Sequence, residues 1–251
     1  MKGPWGAAIA YGQLVMSHSI PARTLDIYDL ERAVVRARNR VRTLVEDKGD
    51  TAARKIFVLG HAHTATKSLH RAFQAGGVRS RHSAGNWRVA RFDAFSDRGD
   101  YRPVDIYRAT YPNARFILNT RPLGAWLWST MRHRNRRHSA AQLVNTIYRR
   151  NLWFAQVVNM FADDDRLVIV DITRPGAVNF ALLSVGLPQV ADPPHANRSR
   201  RAVIKSQAVY DAVKAGPMGR FFDRPFLVPE LLTRREAPPD GWQDAIANNL
   251  A

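Results

Sequence analysis

Three short apolar runs constrain this chain most: Lys55–Leu59 (KIFVL), Arg115–Asn119 (RFILN) and Arg166–Asp171 (RLVIVD). Runs this short, continuously apolar and β-branched, suit strands covered on both faces. Between and after them the spacing turns helical, over Thr66–Ala75, from Pro122 to about Met131, over Ser139–Phe161 and near Ala177–Val185. Strands alternating with helices predict an α/β fold, a parallel sheet between two helical layers. The 251 residues suffice for one large core.

The first 23 residues carry no clear period. From Thr24 to Glu46 the residues Ile27, Leu30, Val34, Ala37, Val41 and Leu44 follow alternating steps of three and four, with Thr24 as a cap and Gly49 beyond the end. The stripe fits a seam between two subunits, hence a homodimer, or a helix packed on its own domain. The small number of heptads favours the second. Organisation is therefore expected as an N-terminal extension (1–54), a core (55–201) and a proline-bearing, irregular C-terminal segment (202–251) packed on that core.

Charge points to anionic partners. Thirty-eight Lys and Arg against 21 Asp and Glu leave a net charge of +17. The absence of cysteine excludes disulfides, thiolate metal sites and a cysteine nucleophile. No apolar stretch approaches the ~20 residues that span a bilayer and no signal peptide is evident, so a cytoplasmic location is expected.

The first chemical motif is KIFVL-GHAHTATKSLH, residues 55–70. A strand, a glycine-containing loop and a helix N-terminus gather unpaired amides and the positive end of a helix dipole around an anion. Lys67 and Ser68 add an ammonium and a hydroxyl. A nucleotide P-loop reads G-x-x-x-x-G-K-[ST]; here Lys67 comes one residue late and the second glycine is missing. The simpler alternative is a strand-to-helix turn capped by Thr64 or Thr66.

The second motif is YPNARFILNTRPLGAWLWS, residues 111–129. It resembles the second signature of sulfotransferases that use 3′-phosphoadenosine 5′-phosphosulfate (PAPS). In that family an Arg beyond a strand and a Ser on the next helix bind the 3′-phosphate, and the resemblance assigns these roles to Arg121 and Ser129. Loop 60–69 then resembles the family's 5′-phosphosulfate loop. His63 takes the basic position, Ala65 that of a glycine, and Thr64, Thr66, Lys67 and Ser68 the rest. Two departures stand out: His63 replaces Lys or Arg, and Ala65 replaces Gly. The segment Pro194–Arg201 is similar to the one whose basic residues close over the nucleotide, implicating Arg200 and Arg201. The resemblance covers about residues 55–201 and implies a P-loop-like three-layer fold, PAPS as donor, 3′,5′-ADP as product and no required metal.

Sulfuryl transfer further needs a base for the acceptor hydroxyl or amine, carried by a small molecule or carbohydrate. The resemblance places that base between the two motifs, and Phe92–Asp97 (FDAFSD) resembles an acceptor-side segment of some members, so it implies Asp97, then Asp93, with His82, Asp100 and Asp105 behind them; His63 and Lys67 would stabilise charge on the bridging oxygen. His61, His63 and His70 lack the spacing of a metal site. Two other readings compete: a P-loop kinase with Asp171 as magnesium acid, and a binder of nucleic acid or acidic polymer using Arg132–Arg137, Arg149 and Arg150. No nucleic-acid-binding motif accompanies that basic run, which disfavours the second.

Overall fold

The computed structural model describes residues 27–134, 137–193 and 205–225. Five parallel strands form one sheet: β1 (Ile56–Val58), β2 (Ser80–His82), β3 (Ala94–Ser96), β4 (Arg115–Thr120) and β5 (Leu167–Asp171), in the order β2-β3-β1-β4-β5. Seven helices are described: α1 (Ile27–Val45), α2 (Thr66–Ala75), α3 (Val104–Thr110), α4 (Leu123–Arg134), α5 (Ala140–Met160), α6 (Ala177–Ser184) and α7 (Gln207–Ala215).

Strand alternation sorts the core into two layers. Phe57 of β1 and Leu59 just after it, with Phe116 and Leu118 of β4, face Tyr107 of α3 and Trp153, Phe154 and Val157 of α5. Ile56, Val58 and Ile117 point the other way, onto Leu69 and Phe73 of α2 and Leu182 of α6. Phe57 stacks against Tyr107 at 4.7 Å and Phe95 at 5.1 Å, an aromatic nucleus beneath the sheet. The expected three-layer α/β/α arrangement is therefore observed.

The three strands and five helices read from the apolar pattern are present within a few residues of their expected limits. Strands β2 and β3 and helix α3 have no counterpart in that reading. Each of these strands is three residues long, and SRH carries no apolar run.

Two expectations fail. The described C-terminal residues include helix α7, where irregular chain was expected; Val209, Tyr210 and Val213 give it an apolar face against Leu127, Trp128 and Phe222. Helix α1 does lie on the domain, but with the face opposite its apolar stripe. Asn39 Nδ2 donates to the Tyr101 carbonyl at 3.0 Å, and Thr43 Oγ1 shares a hydrogen bond with the Tyr107 hydroxyl at 3.2 Å. Thr24 lies outside the described residues.

Candidate anion-binding site

In a parallel sheet all carboxyl ends open on one edge, and ligands bind where the strand order reverses direction. Here that point is β1, from which the chain goes first to β2 and β3 on one side and later to β4 and β5 on the other. Loop 59–65 leaves β1 at this place.

The loop is pinned through its carbonyls. Asn119, fully buried on β4, accepts from the Gly60 amide at 3.1 Å, and its Nδ2 donates to both the Thr64 carbonyl and Thr64 Oγ1. Thr64 Oγ1 donates to the His61 carbonyl at 2.6 Å. Trp126 Nε1 donates to the Ala62 carbonyl at 2.9 Å, and Arg121 Nη1 to the His63 carbonyl at 3.4 Å. Gly60 is required by this packing, since a Cβ there would sit 2.0 Å from Asn119 Oδ1. With four successive carbonyls engaged by the scaffold, the loop has its acceptors turned away from a would-be anion.

His63 (φ 71°) and Ala65 (φ 61°) both occupy the left-handed region. Ala65 therefore keeps the backbone conformation natural to glycine while carrying a methyl group. It is also the N-cap of α2, and no side chain caps that helix. Neither Thr64 nor Thr66 acts as the cap that the simpler alternative required. The Thr66 and Lys67 amides, first in the helix, have no intrahelical acceptor. Helix α4 differs: its Leu123 and Gly124 amides donate to the carbonyls of Arg224 at 2.9 Å and Phe222 at 2.8 Å. Among the described helices that start at this edge, α2 and α6 carry no side-chain cap, and α2 is the one that starts beside β1.

On the β4 side stand Arg121, half-buried, and Arg150, fully buried on α5. Arg150 Nη2 donates to Thr120 Oγ1 at 2.7 Å, to the Arg121 carbonyl at 2.7 Å and to the Pro225 carbonyl at 2.8 Å. Its Nε and Nη1, and Arg121 Nε, are buried without a protein acceptor. Burial pulls the Arg150 guanidinium down to about 9, with Asp171 opposing and Arg121 reinforcing. Burial also lowers Arg121, against Asp171. Arg150 therefore leaves the surface patch assigned to it by sequence and joins the site from behind.

Ser129 lies on α4 one turn beyond Trp126 and one turn before His133, which share its face. Both neighbours touch the loop: Trp126 through Ala62, and His133 through the His63 ring at 4.7 Å. Ser129 therefore shares the helix face of two residues that touch the loop. Ser68 is buried in the first turn of α2.

The base candidates separate by strand direction. Asp93 precedes β3 and meets Lys55 at 3.3 Å and Arg79 at 2.8 Å, so it lies at the amino edge, remote from the loop. It is no base for this site. Asp105 is an exposed partner of Arg40 on α1 at 2.8 Å. Asp100 is buried, 3.4 Å from His61 Nε2 and beneath the loop.

Asp97 and His82, by contrast, end β3 and β2 at the carboxyl edge. Asp97 adopts φ 85° in the turn after β3, and His82 Nδ1 lies 2.9 Å from Ser96 Oγ. Burial depresses His82 first of all, Asp97 pulls it back up and Lys67 lowers it, so these three groups share one field. Stacked on His82 at 5.5 Å is His70, itself 2.8 Å from Ser80 Oγ. His61, His63 and His70 thus turn to three different partners, and among the described residues no three potential ligands converge on a metal position.

Asp171 closes β5, two strands from β1, where its Oδ1 accepts from the Thr173 amide at 3.0 Å and hydroxyl at 2.7 Å. Arg200 and Arg201 lie outside the described residues. Sequence reasoning missed the roles of Asn119, Arg150 and His61. Asn119 and Arg150 carried one available signal, a polar residue within an apolar strand or helix face.

No protein-family model and no curated protein matches the chain. Among the described residues no helix is long and apolar enough to cross a membrane.

Proposed function

We propose that the chain is a sulfotransferase that takes a sulfuryl group from PAPS and delivers it to a hydroxyl or amine on a small molecule or carbohydrate. The observation that carries this reading is the meeting, at one sheet edge, of two separate anion-directed elements. One is the uncapped start of α2 with Lys67; the other is Arg121, backed by Arg150, with Ser129 on the helix that follows it. A donor with a 5′-phosphosulfate and a 3′-phosphate presents two anionic groups for two such elements. The orphaned buried Nε of Arg121 and the Nε and Nη1 of Arg150 fit a polyanion.

In this reading the α2 amides and Lys67 stabilise charge on the bridging oxygen as the sulfur–oxygen bond to the departing phosphate breaks. Asp97 or His82, on the opposite side of the loop, takes the proton from the acceptor as its oxygen or nitrogen bonds to sulfur. His63 helps position the loop against His133. The kinase reading loses ground because the Asp171 carboxylate is held by Thr173 and faces two guanidinium groups. The polymer-binding reading loses Arg150 from its surface patch.

The test is calorimetry with 3′,5′-ADP on the native chain and on Arg121→Ala. Binding without magnesium that disappears in the variant supports the assignment. Unchanged affinity in the variant removes Arg121 from the site.

A further inference from the structure

Helix α1 presents to water the face that should be its buried one. Its contacts with the domain come from the polar side: Arg36 Nε donates to the Asp100 carbonyl at 2.9 Å, Arg40 pairs with Asp105 at 2.8 Å, and Asn39 and Thr43 bond as described above. Opposite these, Leu30 (63%), Val34 (59%), Val41 (62%) and Leu44 (60%) are exposed, with Ala37 exposed between them.

The spacing 30, 34, 37, 41, 44 alternates four and three, the heptad pattern of a coiled-coil seam. Val34 and Val41 take the a positions; Leu30, Ala37 and Leu44 take d. Single exposed apolar residues need no explanation, but a straight row along a helix does. The helix is already held on the domain by its polar side, so pairing would not have to order it first.

We propose that this stripe is the seam of an antiparallel two-stranded coiled coil formed with a second copy of the same chain. In that register Leu30 layers against Val41 of the second copy, and Val34 against its Ala37. The exposed Glu31 and Arg38, both at e positions beside the seam, then meet across it twice, once at each end. A parallel seam would instead pair Arg38 with Ala33 and Arg40 with Val45, so no opposite charges would meet. Self-complementarity of both the apolar row and the flanking charges selects a second copy as the occupant. The inference does not depend on the proposed chemistry.

Sedimentation velocity of the full chain is expected to give a dimer, and Val34→Glu with Val41→Glu a monomer of unchanged circular dichroism. Glu31→Arg or Arg38→Glu alone should weaken the dimer by about tenfold, and the two together should restore it. The chain contains no cysteine, so introduced ones report cleanly. Leu30→Cys with Val41→Cys in one chain should cross-link two copies under mild oxidation, while Val41→Cys alone should not. Cross-linking by Val41→Cys alone overturns the antiparallel arrangement. A monomeric native chain overturns the proposal, and one that dimerises only after removal of residues 1–26 assigns the stripe to that segment instead.

Discussion

Replacing Asn119 by leucine tests whether the loop is held as described. The side chain is fully buried, and leucine keeps its branched outline while being bulkier, so no cavity is created. Three hydrogen bonds vanish: one from the Gly60 amide, and two to Thr64. At about 1 kcal/mol net for each neutral bond, the loss is roughly 3 kcal/mol. A Gly60 amide left buried without an acceptor raises it toward about 5 kcal/mol. For a chain of this size that lowers the melting temperature by about 6–12 °C or more.

The molecule contains its own control. Asn151 on α5 is equally buried, but neither its Oδ1 nor its Nδ2 has a partner. Asn151→Leu should therefore be neutral or stabilising, because it removes unpaired polar atoms from the interior. Urea unfolding of the two variants side by side measures the difference. A cost below about 1 kcal/mol for Asn119→Leu, or equal costs for both, would refute the role given to Asn119.

Three further outcomes follow from the same geometry. Ala65→Gly relieves a left-handed alanine, worth about 1–2 kcal/mol, against about 0.4–1 kcal/mol of added unfolded-state entropy; a small rise in melting temperature by calorimetry is expected, and a fall would contradict the strained backbone at φ 61°. Arg150→Met should preserve the fold, since a buried cation is exchanged for an apolar side chain, yet weaken 3′,5′-ADP binding by releasing the Arg121 carbonyl and Thr120; unchanged affinity would make Arg150 purely structural. The third concerns pH. Burial holds His61 down to about 4, with Asp100 opposing. Between about pH 6.5 and 4 the unfolded chain binds a proton there that the folded chain refuses, so stability falls as pH falls. Burial depresses His70 and His82 too, with the same sign. Urea midpoints at pH 7, 6 and 5 should decline, and His61→Gln should flatten the decline; a native profile that is flat or rising contradicts the buried neutral imidazole.

Much of the fold was legible because strands β1, β4 and β5 are short apolar runs between helical periods. Strands β2 and β3 were not, since SRH and AFS are too short to show a period and are recognised as strands by their pairing in the sheet. For the site, the motifs located Lys67, Ser68, Arg121 and Ser129, but spacing cannot say at which end of a strand a carboxylate lies. Asp93 and Asp97 are four residues apart in FDAFSD, yet the strand between them carries them to opposite edges of the sheet. Arg150 read as one more charge in a basic run, because its burial depends on Thr120 and Pro225, distant in sequence. On α1 the apolar period was read correctly, and the direction it faces was decided by Asn39 and Thr43.

Two anion-directed elements at the β1–β4 edge are proposed to receive one nucleotide with two anionic ends. Thermal shift with 3′,5′-ADP, 5′-AMP and ATP, each with and without magnesium, tests it most directly. Stabilisation by 3′,5′-ADP is expected, independent of magnesium and lost in Arg121→Ala, with little from 5′-AMP. Stabilisation by ATP only in the presence of magnesium, with none from 3′,5′-ADP, would contradict it.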